Sequence, residues 1–531
     1  MERMLTGNTG NEDGTPEARL VHSLVENGDF GHTTTTIKII ETHISWVLLT
    51  GEYAYKIKKP VDLGFLDFST LDARHEYCLL ELDLNRRFTP ELYLDVVPIG
   101  GDSEKPEIGA TPALEWAVRM RQFPSEARLD RQIEQDRISI DAMRSFGETL
   151  ALLHDRSPAL IGTDDPHGTV SAISGPVRDN FTVLHAHCKE ADSKNRLDEL
   201  STWCEQALAR LTPTIHERHT SGRVRECHGD LHLENLIWLE DRITPFDCLE
   251  FDAALRRIDV MNEVAFLLMD TIRIGRQDLG FGFLNRYLEV SGDYPGMAVL
   301  PFYCVYRCLV RAKVAALRHE QNHGDDDDVI RYIELAGHLT DRNHDPCLII
   351  CRGLSGSGKT HLSQKLLSCL PAIRIRSDIV RKRVHRIGEL ESSESAVGTG
   401  LYDPQMTSQT YETLARFATI ALTTGYDVIV DATFLRRADR SMLLTVAENL
   451  TAKFAILDCT ADDRILAERV RKRHASGSDA SEADLAVLDW QRENLESLTT
   501  EEQRHTLTVD TGRHSAASDI ARQLRNIASE A

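Results

Sequence analysis

The 531-residue chain is poor in positive charge, in aromatic rings and in long apolar runs. Its 61 lysines and arginines are outnumbered by 83 acids, for a formal net charge of −22. Such a field disfavours nonspecific binding to nucleic acid or anionic membrane. Phe, Trp and Tyr make up only 6% of the residues, and no aromatic-plus-basic groove stands out, which argues against a single-strand nucleic-acid channel. No apolar run approaches membrane-spanning length, and Met1 to Leu20 is polar, acidic and Gly-rich without a signal-peptide core, so the chain reads as cytoplasmic. Eleven cysteines without a CxxC pair imply reduced thiols rather than a disulfide framework. Cys304/Cys308 and Cys347/Cys351 lack partners at zinc-site spacing and are assigned to packing. There is no internal repeat and no long low-complexity tract. The length exceeds what one hydrophobic core usually supports, so two or three domains are expected.

What is present begins with Gly353-Leu354-Ser355-Gly356-Ser357-Gly358-Lys359-Thr360, which follows the apolar run Leu348-Ile349-Ile350-Cys351 and precedes a helical pattern. This is a complete phosphate-binding loop. The glycines let successive backbone N–H groups point at phosphates, Lys359, taken as an exposed loop residue, reaches the β/γ oxygens of ATP, and the Thr360 hydroxyl holds Mg²⁺. The next helix adds its positive N-terminal end.

Along the chain, residues 1–19 read as a flexible terminus. Alternation from Thr36 to Val61 predicts a small antiparallel sheet, and apolar positions over 71–87 a helix packed on it. Strands return at Tyr93–Ile99 and Trp116–Met120, and helical periodicity runs from Ile138 to about Leu211 and from Asp259 to Leu317. Asn322 to Asp328 reads as a solvated acidic loop. Residues 341–346 read as the linker into the P-loop domain. Beyond it, strands at Cys347–Arg352, Ala372–Arg376, Val428–Ala432, Phe454–Cys459 and Thr506–Thr511 alternate with helices, which implies a parallel sheet covered on both faces. The fold class is therefore α/β and α+β: a two-lobed kinase-like domain over 20–340, then a P-loop NTPase domain over 347–531.

The segment His228-Gly229-Asp230-Leu231-His232-Leu233-Glu234-Asn235, followed by Asp247, resembles the catalytic segment of the aminoglycoside phosphotransferase and choline kinase-like families. The resemblance implies that Asp230 faces the acceptor hydroxyl and that Asn235 and Asp247 bind metal. It also implies that Lys56 contacts the α/β phosphates and is held by Glu76. Lys58 points to the same side of its strand and Glu81 is a rival for Glu76, so both assignments stay open. Arg257 and Asp259 resemble a later segment that braces the catalytic loop, Glu250 is a candidate for the metal site, and His232 is read as a core histidine. A departure from protein kinases is the absence of a Gly-rich turn, with Thr42-His43-Ile44-Ser45 in its place.

Residues 346–530 resemble small P-loop kinases: gluconate kinase, chloramphenicol phosphotransferase, zeta-type toxins and polynucleotide 5′-hydroxyl kinase, a set that shares the AAA-type ATPase core. The resemblance rests on Ser377-Asp378-Ile379-Val380-Arg381, on Val428 to Thr433, and on the basic run Arg469 to Arg473. Asp378 can accept the substrate hydroxyl proton, Arg381 can bind an acidic substrate group, and Asp431 can reach the Mg²⁺ shell or position the acceptor. Arg469 and Arg473, at i and i+4, look like a lid that brings charge to the transferring phosphoryl group. Arg436, Arg437 and Arg440 are candidates for a second anion site. The expected function is a bifunctional Mg²⁺-ATP-dependent kinase acting on hydroxyl groups of small molecules. Alternatives are a polynucleotide 5′-hydroxyl kinase in the C-terminal half, or a nucleotide-sensing module in one of the halves.

Overall fold

The computed structural model describes residues 3–5, 14–34, 36–64, 66–160, 165–320, 326–341, 345–389, 391, 403–476, 481–513 and 515–529. The stretches 321–325, 342–344 and 477–480, which include most of the acidic loop, the middle of the expected linker and the tip of the expected lid, lie outside them.

The alternating segments at the start of the chain form a seven-stranded antiparallel sheet. In sheet order its strands are Arg3–Leu5, Lys38–Glu41, Ser45–Leu49, Tyr53–Lys58, Ala113–Arg121, Tyr93–Asp102 and Lys105–Ile108. Of the terminus expected to be flexible, 1–2 and 6–13 lie outside the described residues, and two of the described pieces are regular. Arg3–Leu5 pairs with Ile39–Glu41, and a helix starts at Pro16, where the Thr15 hydroxyl accepts the Ala18 N–H at 3.2 Å and proline occupies a first-turn position that needs no N–H. Between the fourth and fifth of these strands in sequence order, the helix Leu71–Arg86 is capped by Thr70 and packs on the sheet.

The second lobe is helical, with Ile140–Arg156, Val170–His187, Ala191–Thr220, Val260–Arg273, Gln277–Ser291, Leu300–Glu320 and Asp326–Thr340 around the hairpin Leu236–Leu239/Arg242–Pro245 and the antiparallel pair Val224–Glu226/Arg257–Asp259. Val260–Arg273 is buried almost all round, as expected for a helix at the centre of a lobe. No described helix is long and apolar enough to cross a membrane.

The C-terminal half is built on a five-stranded parallel sheet in the order Ala372–Arg376, Asp427–Asp431, Cys347–Arg352, Lys453–Thr460, Thr506–Asp510. Both faces are apolar, and the strand period divides them. Leu348, Ile350, Val428, Val430 and Ile456 face the same apolar cluster as the helical lobe. Cys347, Ile349, Cys351, Ile429 and Leu457 face the helices Lys359–Leu366 and Ala517–Ser529. The four cysteines at four-residue spacing are all buried in these clusters, which is the packing role expected of them.

The two halves also pack against each other, at the first edge of the parallel sheet. The edge strand Ala372–Arg376 is covered by the helix Gln277–Ser291 and the turn after it. Asn285 Nδ2 donates to Ala372 O at 2.9 Å, its Oδ1 accepts the Arg374 N–H at 2.6 Å, and the Tyr294 hydroxyl donates to Arg374 O at 3.2 Å. The Arg374 guanidinium lies 2.6 Å from Glu289, both fully buried. From the other side, Arg383 donates to the last carbonyls of that helix, Glu289 O and Val290 O, a favourable place for a cation. Tyr294 stacks on Phe417 at 4.7 Å.

Burial raises the Glu289 carboxyl, but Arg374, Arg376 and Arg144 more than offset it and hold its pKa at about 2. A depressed carboxylate pKa contributes stability that is present above the ordinary value of about 4.5 and is lost as pH falls through about 2. Glu289→Ala should therefore cost about 3–5 kcal/mol near neutral pH, because it strands a buried guanidinium. The gap between wild type and Glu289→Gln in thermal denaturation should narrow as pH falls from about 5 towards 2. A gap that is independent of pH would show that the pair is not ionised.

Candidate functional site

The first constellation lies between the two lobes of the kinase-like half. Strand alternation turns Lys56 and Lys58 to one side of Tyr53–Lys58, and the helix Leu71–Arg86 offers Glu81 between them. Lys56 Nζ is 2.8 Å from Glu81 Oε1, and Lys58 Nζ is 2.8 Å from Glu81 Oε2. Each lysine also reaches the second lobe: Lys56 Nζ lies 2.5 Å from Asp247 Oδ1, and Lys58 Nζ bonds to Glu250. Glu76, the first choice from sequence, is exposed on the same helix. The correction follows from register, since the buried residues Arg74, Cys78, Glu81, Leu84 and Asn85 fall on one face and Glu76 lies off it. Burial lowers the Lys56 ammonium pKa, but Asp247 and then Glu81 outweigh it and keep the pKa well above the ordinary value. Glu81, raised by burial but held by both lysines, sits at about 2. Lys56 and Glu81 are therefore charged at neutral pH.

On the facing loop, Asn235 Nδ2 donates to Asp230 Oδ2 at 2.8 Å and to Asp230 O at 3.0 Å. Its carbonyl oxygen is thereby left for another partner. The Phe246 N–H donates to Asn235 O at 3.1 Å, which ties the turn carrying Asp247 to the loop of Asp230. Asp247 has a left-handed backbone (φ 61°), and its N–H donates to the Tyr93 hydroxyl at 3.0 Å. His232 has more than a core role. It is buried, lies 3.3 Å from Asp230 Oδ2 and is 3.2 Å from Arg311. Burial would raise the Asp230 carboxyl, yet His232 and Arg311 hold it below the usual carboxylate range.

The brace of this loop is Glu263, which the sequence reading missed. One carboxylate oxygen accepts the N–H groups of His228 (2.6 Å) and Gly229 (2.9 Å), and the other lies 2.7 Å from His154 Nε2. The Tyr287 hydroxyl meets His154 Nδ1 at 2.9 Å. Asp259, expected to act as the brace, instead forms a buried bidentate pair with Arg218, shared with Asp293. Arg257 lies near Glu226.

The second constellation is the loop Gly353–Thr360. Gly353 (φ 143°) and Gly356 (φ 82°) are required sterically as well as conformationally: a Cβ would lie 2.4 Å from Cys459 O in the first case and 2.7 Å from Leu466 O in the second. Lys359 is buried rather than exposed, and its Nζ donates to Gly353 O (2.9 Å) and Leu354 O (3.0 Å). Burial lowers its pKa, partly offset by Asp431 and Asp378, while Arg473 adds to the lowering. Asp431, Asp378 and Arg473 each act electrostatically on the loop lysine. Asp431 ends its strand beneath the loop and accepts from the Ser363 hydroxyl at 3.2 Å. Thr360, Asp378, Arg381 and Arg473 are half-buried, and Tyr411 lies beside Thr433 at 3.4 Å.

Two arginine readings need correction. Arg469 does not reach out as a lid residue: it donates to Gly356 O (3.2 Å) and to Thr511 (2.9 Å), clamping the loop from behind. Arg436 and Arg440 do not form a second anion site, because they are paired with Asp439 and Glu502.

Residues 98–300 match the phosphotransferase enzyme family, and residues 348–498 match the AAA domain family. The chain joins a phosphotransferase-family domain to a P-loop kinase-type domain. This is the architecture of an ATP-dependent kinase. The uncharacterized protein Rv2004c of Mycobacterium tuberculosis H37Rv is 28% identical over 468 residues, 86% of this chain and 91% of the relative. The uncharacterized protein Mb2027c of Mycobacterium bovis matches to the same extent. Among solved structures, a choline/ethanolamine kinase family protein from Mesorhizobium loti is similar over 58% of this chain and 89% of its own (12% identity, TM-score 0.38). A putative kinase from Chloroflexus aurantiacus is similar over 34% of this chain and 98% of its own (21% identity, TM-score 0.29).

In the phosphotransferase-family domain, the geometry separates the two candidate glutamates. Glu81→Gln should lower turnover by about tenfold to a hundredfold, because two buried ammonium groups lose a shared counter-charge. Glu76→Gln, an exposed change, should leave turnover within about twofold of wild type. Initial rates for ATP consumption by the two variants, in a protein whose C-terminal site is silenced by Lys359→Ala, check this. The reverse ranking would return the role to Glu76.

Proposed function

We propose that the protein is a bifunctional Mg²⁺-ATP-dependent phosphotransferase, each domain transferring the γ-phosphoryl group of ATP to a hydroxyl group of a small molecule such as a sugar, an amino sugar or a related metabolite. The observation that carries this reading is that each half holds a full set of phosphotransfer groups: Lys56, Asp230, Asn235 and Asp247 in one, the loop 353–360 with Asp378, Asp431 and Arg473 in the other.

In the N-terminal domain, the charge that His232 and Arg311 hold on Asp230 against burial makes it an acceptor for the hydrogen bond of the substrate hydroxyl. A loose phosphoryl transition state needs little activation of the nucleophile, so a carboxylate of low basicity serves by orientation, with the proton following late. Asn235 and Asp247 offer only oxygen donors, which suits Mg²⁺. When bound, Mg²⁺ would neutralise charge on the phosphate oxygens. Lys56, released in part from Asp247, is then free to hold the α/β phosphates.

In the C-terminal domain, backbone N–H groups of the loop, Lys359 and Thr360 bind the triphosphate. Asp378 orients the acceptor hydroxyl, Asp431 supports the metal shell or the acceptor, and Arg473 brings charge to the transferring group. Arg381, one helical turn from Asp378, suits an acceptor that carries an acidic group. The net charge of −22 favours a small-molecule acceptor over a polynucleotide end.

The test is an assay of a metabolite extract with γ-labelled ATP on three proteins: wild type, Lys359→Ala and Asp230→Asn. Each variant should lose one class of labelled product, by about 10²–10³ in rate, and keep the other. A single labelled product lost in both variants would mean one active site rather than two. Label released only as phosphate would favour a nucleotide-sensing module. Label on nucleic-acid ends would favour the polynucleotide kinase.

A further inference from the structure

One peptide unit of the phosphate-binding loop is gripped at both ends. The carbonyl of Leu354 accepts Lys359 Nζ at 3.0 Å, and the N–H of the same unit, on Ser355, donates to Gln491 Oε1 at 2.8 Å. Gln491 is only 5% exposed and lies on the helix Leu485–Glu493, far outside the loop motif. Three residues earlier on the same face, Leu488 is buried with Leu466 and Val470, and Leu354 packs against that cluster. The same helix therefore fixes the Leu354 side chain by apolar contact and the following N–H by a hydrogen bond.

The location of this unit gives it meaning. Lys359 is the group that reaches the β/γ phosphates, and its resting partners are Gly353 O and Leu354 O. The Leu354–Ser355 peptide therefore borders the γ end of the site. The N–H groups from Gly356 onward, leading into the helix Lys359–Leu366, serve the phosphates nearer the nucleoside. If the peptide rotated by half a turn, Lys359 would lose a carbonyl partner and the Leu354 oxygen would face outward. A side-chain carbonyl on the Ser355 N–H opposes that rotation, and without it a buried donor is left unsatisfied.

We propose that Gln491 is a positioning residue of the C-terminal site, holding the Leu354–Ser355 peptide so that the loop recognises a γ-phosphate. This deepens the reading of 353–360 as a nucleotide loop and depends on it. Gln491 touches the loop rather than the nucleotide, so it should govern discrimination between triphosphate and diphosphate rather than nucleotide binding as a whole.

The experiment uses the full chain carrying Asp247→Ala, so that the N-terminal site contributes little, with Gln491→Met added as a near-isosteric change that removes the acceptor. Affinities for a non-hydrolysable ATP analogue and for ADP are measured by calorimetry, together with the melting temperature. Trp490→Ala, an exposed neighbour, is the control. The expected result is a loss of about tenfold for the triphosphate, ADP affinity within about twofold, and an unchanged control. A tenfold loss corresponds to about 1.4 kcal/mol, the scale of one buried hydrogen bond. Equal losses for both nucleotides, with or without a lower melting temperature, would show a merely structural residue and overturn the proposal, as would no loss at all. If the parent protein binds neither nucleotide and Lys359→Ala changes nothing, the loop reading itself fails, and the role of Gln491 with it.

Discussion

The edge strand Ala372–Arg376 is the constraint on which the C-terminal half depends. An open parallel sheet ends in a row of unpaired N–H and C=O groups that invite other strands. Here those groups are met by side chains of the kinase-like half: Asn285 takes Ala372 O and the Arg374 N–H, and Tyr294 takes Arg374 O. The Arg374 side chain then turns inward to Glu289 and comes within 3.4 Å of Thr360 O on the loop helix. The phosphate loop is thus supported, through one arginine, by a glutamate that belongs to the other half. The apolar cluster that runs unbroken across the boundary makes the two halves one packed body at this face.

A second theme is the use of buried carboxylates as fixed anchors. Glu81, Glu263 and Glu289 are fully buried, and each is held ionised at about 2 by cations or hydrogen-bond donors despite desolvation. Their tasks differ. Glu81 sets two lysines in the interlobe cleft, Glu263 holds two N–H groups of the catalytic loop, and Glu289 joins the halves. Breaking any of them leaves uncompensated charge or unpaired donors, which costs far more than an exposed pair would.

The strands of the parallel sheet were readable because short apolar runs bounded by Gly, Asp and Thr have few alternatives once strand and helix alternate. The strand Lys105–Ile108 was not: it is polar and carries Pro106, which an edge position tolerates. The helix Leu71–Arg86 was readable as a helix, but its apolar residues surround it, so no face was marked and Glu81 could not be told from Glu76 by pattern. Spacing from Cys78 and Leu84 was the available signal. Phosphate-loop identity was plain from residue types alone. Its supports were not, because Gln491, Arg469 and Thr511 reach the loop from 42 to 154 residues away or from one another. Asn285, Glu289 and Glu263 are polar residues within helices, and from sequence they look like solvent positions. Only tertiary contact gives them away.

The cover on the edge strand also bears on how the chain is made. Asn285 precedes Ala372 and Arg374 by 87 and 89 residues, and domains fold in order as they leave the ribosome. The helix Gln277–Ser291 and the lobe around it are therefore synthesised before the strand they must shield. The donors and acceptors that meet the strand therefore precede it in the chain, which favours its open side being taken by its own polypeptide rather than by a neighbour. The order of the two halves along the chain thus places the cover before the edge that it shields.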